Sequence, residues 1–92
     1  MSTKTLDPEL DVDILDKLEE SAKIILVNDD YNSFQHVVDC LMKYCKHSET
    51  QAHQCTMIIH NNGSYAVKEG DYDKLLPIKV ALCDAGLLAE ID

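Results

Sequence analysis

Lys23-Ile24-Ile25-Leu26-Val27-Asn28-Asp29-Asp30-Tyr31 decides the fold. Lys23 to Val27 is a short apolar run rich in β-branched residues. Asn28-Asp29-Asp30 then closes it with side chains that bond their own backbone, so the stretch reads as a buried strand ending in a turn. Asn32 or Ser33 follows as a cap for a helix with apolar positions at Phe34, Val37, Val38, Leu41, Met42 and Cys45. That spacing is one face of a helix.

Working downstream, Ser48 with Gln51 is a capping-box signature for a second helix. Its stripe runs through Ala52, Cys55, Thr56, Ile59 and His60, and Asn61-Asn62-Gly63 supplies a stop that tolerates left-handed backbone. A strand from Met57 into an Asn-Gly hairpin is the competing reading, but cap and stripe agree on helix. Ser64 to Lys68 reads as a brief strand. A third helix begins at Gly70-Asp71 and ends before Gly86, with a kink or split expected at Pro77, which lies too deep for the first turn. Leu87 to Ile91 closes the chain as a strand. The order β-α-α-β-α-β implies an α+β sandwich, a small sheet with helices packed on one side.

Upstream, residues 1–22 hold seven acids against two lysines and one proline. Leu10, Ile14 and Leu18 permit a transient helical turn, but the charge excess favours a solvating arm, leaving residues 23–92 as the core. The whole chain of 92 residues suits one small domain, and its formal charge of −9 argues against nucleic acid or an anionic membrane. No basic region followed by an apolar core opens the sequence and no run approaches the length of a membrane span, so a cytoplasmic protein is expected. The four cysteines (Cys40, Cys45, Cys55, Cys83) are then expected as free thiols, three of them on apolar helix stripes.

The residues that could carry chemistry lie at the end of the first strand. The plain reading of Asn28-Asp29-Asp30 is a turn. Taken with His60, however, Asn28 and Asp29 offer an amide oxygen, a carboxylate and an imidazole nitrogen. A protonated α-amino group has three N–H donors, which such a trio of acceptors would meet. Phe34, Val37 and Thr56 beside them would wall an apolar cavity for one large side chain. That combination reads a first residue, since only a first residue carries both a free ammonium and a side chain there.

Metal binding is the sharp rival. His36 and Cys40 are four apart on one helix face, and Cys45-x-His47 and His53-x-Cys55 form a mirror-like set. Residues two apart on a helix point to different faces, and no CxxC or HExxH spacing occurs, so no metal or other cofactor is expected. A Cys–His nucleophile needs a thiol activated by a basic environment, which an acidic chain with core-facing cysteines does not offer. No enzymatic activity is expected.

The run from Lys23 to Tyr31, the helix Phe34-Gln35-His36-Val37-Val38-Asp39-Cys40-Leu41, and the second helix ending Ile59-His60 before Asn61-Asn62-Gly63 together resemble the ClpS adaptor family over about residues 23–92. The resemblance implies three helices against a three-stranded antiparallel sheet, as in the ribosomal-stalk C-terminal domain. It implies capture of N-degron proteins whose first residue is Leu, Phe, Tyr or Trp, a flexible N-terminal extension used in delivery, and docking on the N-terminal domain of a ClpA- or ClpC-type AAA+ unfoldase. It assigns the ammonium contacts to Asn28, Asp29 and His60, and the pocket mouth to Asp30, Asn32 and Ser33. Val37 matches the family's pocket valine, Phe34 replaces its gate methionine, Ser33 its preceding proline, and Thr56 a usual Met or Leu. Asp73 falls near the acidic docking position, with Lys79 as its basic companion one residue out of register. A monomer is expected. The runner-up is a ribosomal-stalk-like interaction domain, which would lack the trio.

Overall fold

The computed structural model describes residues 21–92, so all but two residues of the expected acidic arm lie outside the described part. The elements are β1 (Ser21–Val27), α1 (Phe34–Tyr44), α2 (Glu49–Asn62), β2 (Ser64–Asp71), α3 (Tyr72–Asp84) and β3 (Leu88–Ile91). The strands form one antiparallel sheet in the order β2-β1-β3, which places the Lys23–Val27 run in the centre. This is the expected α+β architecture.

Along β1, Ala22, Ile24 and Leu26 are buried while Ser21 and Lys23 face water, so this central strand puts alternate side chains into the core. Leu41, Val38, Ala52, Ile59, Leu75, Leu82 and Leu87 complete that core from the helices and the last turn. Burying each larger aliphatic side chain contributes about 1.5–3 kcal/mol. The β1–β2 register shifts between Ile24 and Ile25, which pair with Lys68 and Ala66, leaving Val67 as the extra residue. This bulge turns Val67 into the core, where it is buried.

The helix ends follow from local chemistry. Ser33 and Ser48 cap α1 and α2, their hydroxyls accepting from the N–H groups of His36 and Gln51, each at 3.1 Å. Gly63 ends α2 at φ +94°, a backbone that any residue with a Cβ resists, and its N–H returns to the Ile59 carbonyl at 2.9 Å.

Several boundaries differ from the sequence expectation. β1 begins at Ser21 rather than Lys23, because Ser21 and Ala22 pair with Asp71 and Gly70. β2 runs to Asp71 rather than Lys68 for the same reason. α3 is one helix through Pro77, not two. The carbonyl that Pro77 cannot satisfy belongs to Asp73, an exposed residue of the first turn, so the lost bond falls at the solvent-facing start of the helix. Within α1, Cys40 is buried and Met42 exposed, the reverse of the expected stripe, because α1 also packs on α3. Among the described residues, no helix is long and apolar enough to cross a membrane.

Candidate functional site

β1 ends where α2 ends. The Asn28 N–H donates to the Gly63 carbonyl at 2.8 Å, which sets the first residue of the acidic turn beside the last turn of α2 and so beside His60. A cavity of about 400 Å³ opens there, lined by Leu26, Val27, Asn28, Asp29, Asp30, Asn32, Phe34, Val37, Thr56, Ile59, His60 and Leu87. Its size is that of a small-ligand pocket. Eight residues expected from sequence thus share one cavity: Asn28, Asp29, Asp30, Asn32, Phe34, Val37, Thr56 and His60.

Ser33 is not among them. Its hydroxyl is engaged as the α1 cap on the His36 N–H, so it fixes the backbone at the mouth without lining it. His60, expected on an apolar stripe, is exposed, because the last turn of α2 projects past the core. His60 nevertheless lines the cavity. His36 and His47 are committed elsewhere, each with its Nε2 against a carbonyl, of Ala85 at 2.9 Å and of Val67 at 2.8 Å.

Asp29 braces the turn in this geometry. Its Oδ1 accepts from the N–H groups of Tyr31 and Asn32, both at 2.8 Å, and its Oδ2 accepts from the Asn32 side-chain amide, also at 2.8 Å. The plain turn reading is therefore correct for this carboxylate. A carboxylate offers about four acceptor sites, so three such bonds leave one for a ligand. Asn32 extends the brace by donating from Nδ2 to the Gly86 carbonyl at 2.8 Å, tying the acidic turn to the α3–β3 connection that supplies Leu87.

The hydrogen bond from the Asn32 N–H, helped by those from its side chain and from Tyr31 and opposed by partial burial, holds the Asp29 carboxyl below the usual carboxylate range. A group whose folded-state pKa is depressed stabilises the fold fully above its unfolded value near 4, and loses that contribution as pH falls through the folded value. We expect the Tyr31 and Asn32 amides to exchange faster with solvent as pH drops below about 4, beyond the intrinsic acid dependence. Amide exchange read residue by residue checks this. Protection that is flat down to the acid unfolding of the core would contradict it.

The apolar part of the cavity is equally specific. Thr56 is 3% exposed and its hydroxyl donates to the Ala52 carbonyl at 2.7 Å. With its polar atom satisfied within α2, Thr56 behaves as a small wall residue rather than a hydrogen-bonding group. Leu26, Val27, Ile59 and Leu87 complete the lining and were not picked out by sequence reasoning. Alternation along the strand could have found Leu26, and the α2 stripe Ile59, whereas Leu87 arrives through the long-range Asn32–Gly86 bond.

The residues of the rival readings sit elsewhere. Cys40, Cys45 and Cys55 are buried free thiols and Cys83 is a half-buried one. Burial pushes the Cys45 thiol up to about 11, so it stays protonated at neutral pH. His36 and Cys40 approach to 3.6 Å, yet no group of three or more potential metal ligands occurs among the described residues. Asp73 and Lys79 are both on α3 but six residues apart, which turns them to different faces. Asp73 is exposed in the first turn, while Lys79 borders a second, shallower groove with Tyr72, Leu76 and β3.

Comparison with known proteins shows the family. The profile of the family described as "ATP-dependent Clp protease adaptor protein ClpS" matches residues 17–85. The chain belongs to the ClpS family. Among its relatives, the ClpS adapter of Thermosynechococcus vestitus is 38% identical over 66 residues, covering 71% of this chain and 70% of that protein. A ClpS adapter from Nostoc sp. is 47% identical over 45 residues, covering 48% of this chain and 46% of its own. The fold is similar to that of Agrobacterium tumefaciens ClpS2, solved bound to L-phenylalaninamide, with a TM-score of 0.68 at 22% identity over 79% of this chain and 95% of that one. The chain is thus a ClpS-type adaptor of the Clp protease system by family.

Proposed function

We propose that this ClpS-family adaptor binds the free α-amino group and large apolar side chain of an N-degron and delivers its bearer to a Clp AAA+ unfoldase. The observation that carries the reading is the single cavity that joins Asn28, Asp29 and His60 to an apolar wall of Phe34, Val37, Thr56 and Ile59. The amide oxygen, carboxylate and imidazole would receive the three donors of the ammonium, and the cavity would take Leu, Phe, Tyr or Trp. The ligand of the A. tumefaciens neighbour, an amino-acid amide with a free amino group and a benzyl side chain, is of that chemical kind. Asp30 and Asn32 would lie at the mouth, where the second residue of the substrate leaves the pocket.

In this reading the partner is the N-terminal domain of a ClpA- or ClpC-type unfoldase. It would meet α3 around Asp73 and, beside the second groove, Lys79. The adaptor would work as a monomer in the cytoplasm, with no chemical step of its own. The test is degradation by a Clp unfoldase–protease of a Phe-initiated reporter against the same reporter initiated by Met. The adaptor should accelerate only the first. Equal rates for both would overturn the reading.

Residues 1–20 carry seven acids against two lysines. We expect their deletion to leave peptide affinity within about twofold while removing delivery, since a highly charged segment is suited to engage a partner rather than the adaptor's own core. Anisotropy and degradation assays run in parallel check this. A truncated adaptor that still accelerates degradation would show that delivery resides in the folded domain.

A further inference from the structure

Phe34 is the first residue of α1, and its backbone is set by the Ser33 cap. The ring is left to be oriented by its neighbours. One side of it lines the cavity, and another meets His53 of α2 with ring centroids 4.8 Å apart and planes at 62°. This is the edge-on arrangement that aromatic rings favour. His53 does not line the cavity. It precedes Thr56 by three residues and His60 by seven, so the three follow one another along one side of α2. Thr56 and His60 reach the cavity, and His53 stands behind Phe34.

We infer that His53 is a positioning residue for the pocket, holding the Phe34 ring against the cavity and thereby setting which first residues fit. This rests on the reading of the cavity as a first-residue pocket. His53 is exposed and lies outside the buried core, and Phe34 is the ring that it meets. Phe34 has two side-chain torsions and an open mouth beside it. Without the imidazole at its edge, the ring can swing toward solvent and widen the entrance next to the ammonium contacts. A side chain branched at Cβ carries its extra methyl just there. His53 therefore disfavours Ile and Val as first residues while acting only through Phe34.

The test uses the full chain as wild type, His53→Ala and His53→Phe. Phe34 is the only phenylalanine, so selective ring labelling gives one NMR signal to follow. His53→Ala should shift that signal and increase the ring's mobility. It should also narrow the affinity ratio of Phe- to Val-initiated peptides by roughly two- to tenfold, the range expected for loss of one aromatic pair. His53→Phe should restore both. A ring signal unmoved in His53→Ala, or a freed ring with an unchanged ratio, would overturn the inference. A lower Tm with no change in ratio would mark the contact as structural and overturn it too. Failure of the wild type to bind any free Phe-initiated peptide would instead overturn the pocket reading, and the selectivity role with it.

Discussion

Asp29→Ala and His60→Ala should each remove most of the affinity for a peptide with a free first residue, while the folded core survives. Each takes one partner from a charge-assisted contact in a cavity, which costs about 2–5 kcal/mol, or very roughly thirty- to several-thousand-fold. The two variants should then diverge. Asp29 also anchors the Tyr31 and Asn32 amides, whereas His60 sits on a helix turn closed by Gly63. Amide exchange should therefore rise at Tyr31 and Asn32 in Asp29→Ala only. Asp29→Asn keeps an acceptor oxygen for the turn but removes the charge, so it should bind weakly with those amides still protected. Calorimetry finding Asp29→Ala and His60→Ala within threefold of wild type would refute the trio.

Phe34→Ala should act on selectivity and stability together. The ring is half-buried and packs against the core from the mouth of the cavity, so its loss removes both wall and contact. Complete truncation of a buried Phe costs about 3–5 kcal/mol, and a half-buried one should cost less, about 1–3 kcal/mol. Ile- and Val-initiated peptides should gain about 1–2 kcal/mol relative to Phe, because the planar ring that obstructs a Cβ branch is gone. Thermal melting and a panel of Phe-, Leu-, Ile- and Val-initiated peptides read both effects. Full core destabilisation with unaltered discrimination would reduce Phe34 to a packing residue.

What the sequence could and could not show divides along the range of the interactions. Caps at Ser33 and Ser48 and the stop at Gly63 are local events, written in residues three or four apart, and they stand where the pattern puts them. Ser21 and Ala22 looked like the end of an acidic arm because nothing nearby marks them as strand. Their pairing partners, Asp71 and Gly70, lie about fifty residues on. The same pairing lengthens β2. A proline inside an isolated helix is expected to break it, but the carbonyl that Pro77 orphans is at an exposed first turn.

The candidate site shows the same division. That Asn28, Asp29 and His60 share one cavity was legible because strand end, turn and distal histidine are each recognisable, and residue chemistry then suggests what they could hold together. The turn bonds of Asp29 do not exclude the proposed ligand contact, since one carboxylate has enough acceptor sites for both. The family resemblance puts Ser33 at the mouth, while its hydroxyl turns back to cap α1. The Phe34–His53 contact is invisible along the chain, since it joins two helices through a pair of side chains without a local pattern.

The central claim is that the cavity reads a free first residue, and chemical removal of one charge from the ligand tests it most directly. A labelled peptide beginning with Phe is titrated against the full chain, alongside the same peptide acetylated on its α-nitrogen. Acetylation leaves the benzyl group intact but removes the charge and two of the three N–H donors. The free peptide should bind saturably, and the acetylated one at least about a hundredfold more weakly, as expected for loss of a charged hydrogen-bonding group facing acceptors that line one cavity. Equal binding of the two peptides would mean that the cavity recognises an apolar side chain alone, and the account would be wrong.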